Sequence, residues 1–226
     1  MCGRFNVIDN PGIQDLLKDL GIDLSLPPAI NIAPTEAVSL VRMSAPRECS
    51  VDAARWWLTP SWAPAVDQKY SMFNARSESI ATSRAFRGPF RRQRGLVPMS
   101  SFIEWRTENG VKQPWQISNA AGALAVAALW DVWEKGDVPL LSCTLVTTAA
   151  APGFTDWHKR MPVMLAPDER EQWLDNTCEI APDDPVFRPM LKEDLCLVPL
   201  DRAVSNARNK AGDVMRAVGD EVVLSA

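Results

Sequence analysis

Histidine and tyrosine occur only once each in this 226-residue chain, and no two cysteines have the C-x-x-C spacing. A zinc site therefore lacks ligands, and no metal or cofactor is expected. The cysteines, at positions 2, 49, 143, 178 and 196, are odd in number, which leaves a disulfide framework unsupported and points to a reducing compartment. Glycine is scarce beside proline, eleven against eighteen, which favours short elements and stiff turns over long helices. Long apolar runs are missing as well. The longest, GALAVAALW from Gly122 to Trp130, is about half of what a membrane-spanning helix needs. Arg4, Asn6, Asp9 and Asn10 interrupt any apolar run at the start, so no secretory leader is read. A cytoplasmic protein with no membrane partner is the expectation.

What is present is ordinary in bulk and uneven in detail. Apolar residues make up 46% and charged residues 23%, enough for a real core in one domain spanning 1–226. The net charge of −4 gives no bulk attraction for nucleic acid. Its distribution does: SRAFRGPFRRQR carries Arg84, Arg87, Arg91, Arg92 and Arg94 with no acid among them, while the 168–194 stretch is strongly acidic. Such an island is either a solvated helix face or a phosphate footprint.

Apolar spacing predicts a helix in PGIQDLLKDLG, ended by glycine. EAVSLVRM and VDAARWWL read as strands around a turn containing Pro46. SESIATSRAF and PFRRQ read as short helices, and FNARSES as a polar turn. A run of strands follows in GLVPMS, SFIEWR, KQPWQIS, ALAVAALWDVW and LLSCTLVTTAA, with a hairpin turn at Asn109–Gly110. PDEREQWLDN reads as a helix and LCLVPL as a late strand. The expected fold class is α+β, with a curved, barrel-like, mostly antiparallel sheet core and short peripheral helices.

The chemistry concentrates around the opening MCGRF. Removal of Met1 would give Cys2 a free α-amine beside its thiol. That amine titrates at about 8, against about 10.4 for lysine, so more of it is neutral at cellular pH. It is thus the better nucleophile toward an aldehyde, and the neighbouring thiol can close a thiazolidine ring on the resulting imine. Covalent aldehyde capture and cysteine-type acyl transfer both remain open. Proton carriers are few. Asn74 and Arg76 share one side of FNARSES if that segment is extended. Glu104, between Ile103 and Trp105, is a candidate general acid or base if it faces inward. His158, the only histidine, is the side chain best suited to moving protons near neutral pH.

MCGRF, NIAPT, WWLTPSWA, FNARSES, LVPMSSFIEW, LVTTAA, HKRMPVML and VSNARN stand in the order and spacing of the SOS-response-associated peptidase family, which this chain resembles from Met1 to about Arg208. Members are understood as sensors of abasic sites in single-stranded DNA. The resemblance implies that Cys2 links to the ring-opened sugar aldehyde, that Asn74 holds the N-terminus and the sugar oxygen, that Glu104 acts as acid and base, and that His158 helps proton transfer and crosslink reversal. It implies that Arg76 and Arg160 contact phosphate, and that Arg4, Trp62, Arg84 and Trp105 share the DNA surface. AP-lyase activity and thiol self-processing at Met1 belong to the same implication, as does a bacterial or phage-type protein, nucleoid-associated when on DNA; a monomer is expected. Trp57, Gly95, Met99, Ser100 and Ile103 depart from the family pattern in the walls of the site. A peptidase acting on proteins and a non-covalent single-strand binder are the alternative functions.

Overall fold

In the computed structural model, residues 2–8, 10–45 and 48–226 are described. The strands in chain order are β1 (Phe5–Val7), β2 (Ala29–Ile32), β3 (Ala37–Ala45), β4 (Glu48–Trp56), β5 (Asn74–Arg76), β6 (Arg94–Met99), β7 (Ser101–Glu108), β8 (Val111–Asn119), β9 (Leu124–Trp133), β10 (Leu140–Ala149), β11 (Arg160–Pro162), β12 (Leu195–Pro199) and β13 (Val222–Leu224). Between them lie helices α1 (Pro11–Asp19), α2 (Arg87–Arg92) and α3 (Pro167–Leu174).

One sheet runs β13-β12-β8-β7-β1-β2 and is antiparallel throughout. The other closes on itself: β10-β4-β3-β6-β9 and back to β10 make a five-stranded barrel. Closure leaves no open edge on those strands. The β10–β4 and β10–β5 pairings are parallel, so the fold is α+β with a mostly antiparallel barrel core, as expected. Residue 95 explains why the barrel wall accepts glycine there. A Cβ at Gly95 would sit 2.7 Å from the Val41 carbonyl oxygen and 3.0 Å from Leu40.

The two sheets meet where β6 runs into β7 with only Ser100 between them. The Ser100 hydroxyl donates to Asn6 O at 3.0 Å and accepts from Ile8 N at 3.1 Å, pinning β1 across that joint. Asn109 and Gly110 have φ of 49° and 77°, the left-handed pair that a two-residue hairpin demands, and β7 and β8 pair from Glu108↔Val111 inward. Helix α1 has Asn10 as its cap, with Oδ1 accepting from Ile13 N at 2.9 Å, and buries Ile13, Leu16 and Leu17. Among the described residues no helix is long and apolar enough to cross a membrane.

Two expectations fail. SESIATSRAF forms a single 3₁₀ turn, Ser77–Ser79, followed by turns rather than a helix. Thr82 competes for the local backbone, its Oγ1 donating to Ser79 O at 3.3 Å. FNARSES is not a turn at its centre but the strand β5. The expected turn at Pro46 lies outside the described residues, as does Met1.

Candidate active site

Cys2 is fully buried at the seam between the sheets. Its thiol lies 3.7 Å from Arg4 O, an oxygen that also accepts from Ile103 N at 2.9 Å. The terminal segment is thereby held against β7 one residue before Glu104, which is itself 3% exposed and so faces inward. On the other side Asn74, in β5, donates its Nδ2 to Cys2 O at 2.8 Å. Asn74 Oδ1 is buried and accepts no hydrogen bond among the described residues. Burial pushes the Cys2 thiol well above the usual range, and the negative charge of Glu104 adds to the effect. The thiol is therefore protonated at neutral pH.

β10 organises the rest. Leu145 pairs with Asn74 and Thr147 with Arg76 on one side, while Ala149 pairs with Arg160 on the other. Arg160 grips Glu78 with two hydrogen bonds of 2.9 and 3.0 Å and also donates to Thr147 O at 2.7 Å. Glu78 is held below the usual carboxylate range chiefly by that hydrogen bond from Arg160, with the Arg76 charge contributing. Arg76 is exposed, so its guanidinium stands in solvent while that of Arg160 is engaged.

His158 is half-buried two residues before Arg160. The Arg160 backbone N–H donates to His158 Nδ1 at 3.0 Å. The segment carrying it is packed on the opposite sheet: Phe154 meets Phe102 at 6.1 Å, and Trp157 meets Trp115 edge-on at 5.8 Å. Trp115 is the cross-strand partner of Glu104. Arg4 lies over the Trp105 ring at 5.9 Å, half-buried, with burial lowering its pKa and the charge of Glu36 opposing that.

The basic island divides. Arg84 stacks on the exposed Trp62 at 4.2 Å, and both line a cleft of about 330 Å³ with Arg87, Arg91 and Gln93. Arg94 is fully buried instead, its guanidinium donating to the carbonyls of Trp173, Phe90, Asp175 and Cys178. It is a structural tie and belongs to no surface.

The sequence model of the family described as SOS response associated peptidase (SRAP) matches residues 1–207. The chain belongs to that SRAP family. Among curated relatives it is 32% identical to the abasic site processing protein YoaM of Bacillus subtilis, over 96% of this chain and 98% of that one. It is 28% identical to YedK of Escherichia coli, over 96% and 100%. It is also 29% identical to HMCES of Xenopus tropicalis, over 74% of this chain and 57% of that one. Both carry the same description, abasic site processing protein. A crystal structure of a Bacteroides thetaiotaomicron protein shares the SRAP chain's fold with a TM-score of 0.73 at 21% identity, covering 84% and 85% of the two chains.

Sequence reading missed Thr147 and Glu78 as partners of Arg160, and Asn31 as a tie to the C-terminal segment. Thr147 lies within LVTTAA and Glu78 within FNARSES, but neither motif shows that β10 and the turn after β5 converge on Arg160.

Proposed function

We propose that this protein processes abasic sites in single-stranded DNA by covalent capture at Cys2 once Met1 is removed. The observation that carries the reading is the hold of Asn74 Nδ2 on the Cys2 carbonyl, 2.8 Å away, beside the buried Glu104. It fixes the residue whose amine would react. The unused Asn74 Oδ1 is an acceptor for a hydroxyl of the opened sugar.

The Cys2 amine adds to the C1 aldehyde of the opened deoxyribose to give a carbinolamine. Glu104 carries a proton from the nitrogen to the departing hydroxyl, and water leaves as the imine forms. The thiol then adds across the C=N bond: sulfur bonds to carbon, its proton ends on nitrogen, and the thiazolidine closes with a net loss of one water. A protonated thiol suits this order, because the amine attacks first and Glu104 can relay the thiol proton to the nitrogen in the second step. A thiolate-dependent peptidase needs the reverse, a thiol pKa lowered toward neutrality. The raised Cys2 pKa therefore weighs against attack on peptides in trans.

Single-strand binding would draw on Arg4 and Arg76 for phosphate, on Arg160 where phosphate displaces Glu78 from it, and on Trp105, with Trp62 and Arg84, for bases. His158 would carry protons for reversal of the crosslink. An intact-mass spectrum before and after incubation with a single-stranded oligonucleotide bearing one abasic site tests the proposal. A chain lacking methionine that gains one oligonucleotide less one water is expected; a processed chain that gains nothing overturns it.

A further inference from the structure

Asn31 is a fully buried residue in β2 with φ of 51°, a left-handed conformation that asparagine tolerates better than most residues. Every polar group on it but one is engaged. Its backbone N–H donates to Asn6 Oδ1 at 2.8 Å. Its carbonyl accepts from Lys210 Nζ at 2.7 Å. Its Nδ2 lies 3.1, 3.0 and 3.0 Å from the carbonyl oxygens of Val204, Asn206 and Asn209. Two amide hydrogens thus serve three acceptors, and the chain over 204–210 is wrapped around one side chain. Lys210 adds a second tie by pairing with Glu36 at 2.8 Å.

This strap touches the site at one point. Val204, buried, packs with Ile103, and Trp105 lies against that small cluster. The Trp105 indole N–H donates to Ser205 Oγ at 3.1 Å. Trp105 follows Glu104 directly and carries Arg4 on its face. The indole is otherwise half-exposed, and its N–H is held by the strap through Ser205.

We propose that Asn31 is a positioning residue: by holding the 204–210 strap it orients Trp105, and through it Arg4, so that it governs how firmly a strand is seated and leaves bond formation at Cys2 untouched. The proposal rests on the reading of Cys2 and its surface as the DNA site.

The test is the crosslinking rate against concentration of an abasic oligonucleotide for wild type, Asn31→Asp and Ser205→Ala, each with Trp105 and with Trp105→Ala. Asn31→Asp sets an oxygen against three carbonyl oxygens and should release the strap. The half-saturating concentration is expected to rise about tenfold with the maximal rate within about twofold, and the rise should fall below about twofold in the Trp105→Ala background. An equal rise in both backgrounds, or a loss confined to the maximal rate, overturns the proposal. If Asn31→Asp does not fold, Ser205→Ala carries the test, because Ser205 is exposed and its substitution removes only the indole contact. About a threefold rise that disappears without Trp105 supports the proposal, and no rise overturns it. If wild type captures no abasic strand, the function proposed above fails on its own. The same variants are then read by binding of an intact single strand, where a Trp105-dependent weakening upholds the positioning role and equal affinities refute it.

Discussion

Cys2 and Cys143 are both fully buried thiols, and burial raises both pKa values, that of Cys143 to about 12. One sits at the seam where β1, β5 and β7 meet, and the other in the barrel wall. Cys143 pairs across the ladder with Trp130 and Trp56. Around Cys2 stand Asn74, Glu104 and the half-buried Arg4. Desolvation is common to the two. What separates them is the set of oriented donors and acceptors within reach, which is what the role proposed for Cys2 would need, and the seam supplies these because it is where sheet ends converge.

The sharpest way to break this contrast is substitution of each thiol. Cys2→Ala should abolish the covalent DNA species, while Cys143→Ala should crosslink at the wild-type rate; denaturing gels with an abasic oligonucleotide read both. Glu104→Gln should slow crosslinking by about a hundredfold, as expected for loss of a general acid, measured as a single-turnover rate. The same change removes a charge that raises the Cys2 pKa, so alkylation of Cys2 at mildly alkaline pH should become faster, whereas Cys143 should be unaffected. Mass-resolved labelling of the two peptides distinguishes them.

A third test concerns pH and stability. Unfolded cysteine ionises at about 8.5, while the folded Cys143 thiol holds its proton to about 12. Below the lower value both states are protonated and the thiol adds no pH dependence. Above it the unfolded chain sheds the proton first, so stability falls with rising pH by about 1.4 kcal/mol per unit until the folded pKa is reached. Denaturant unfolding from pH 8 to 10 should show this contribution on top of a like one from the buried Cys2, and Cys143→Ala should lower the slope by about 1.4 kcal/mol per unit without abolishing it. The smallest effect is expected at the cleft away from the seam. Arg84→Ala should weaken single-strand binding about threefold and lower the salt slope by about one, leaving the saturated crosslinking rate unchanged.

The long strands were readable because each shows its own evidence: β7 and β8 through the Asn109–Gly110 turn, and β9 and β10 through continuous apolar runs. The three-residue strands β1, β5, β11 and β13 were not, because so few residues cannot display a period of two. β5 shows the cost, since the segment that carries Asn74 is named by its motif but looks like a polar turn until β10 is laid beside it. The site residues were legible largely as motifs. Inward-facing Glu104 was undecided from local sequence, and its burial emerges only when the seam closes over β7. Arg94 misled for the opposite reason. An arginine among arginines reads as surface, and nothing nearby in sequence shows that the carbonyls around Trp173 and Cys178 come back to enclose it.

β10 changes neighbours along its length. Ser142 and Cys143 pair with β4, Leu145 to Thr147 with β5, and Thr147 to Ala149 with β11, while its first half also runs beside β9. The strand that closes the barrel is therefore the one that presents Asn74 to Cys2, across a sequence separation of 72 residues. Contacts so distant in sequence form late, since the loop entropy must be overcome before they contribute. A chain emerging from synthesis exposes its cysteine long before β10 exists, yet lacks the asparagine hold until β10 has docked. The arrangement proposed for capture at Cys2 is thus complete only once β10 has docked beside β5.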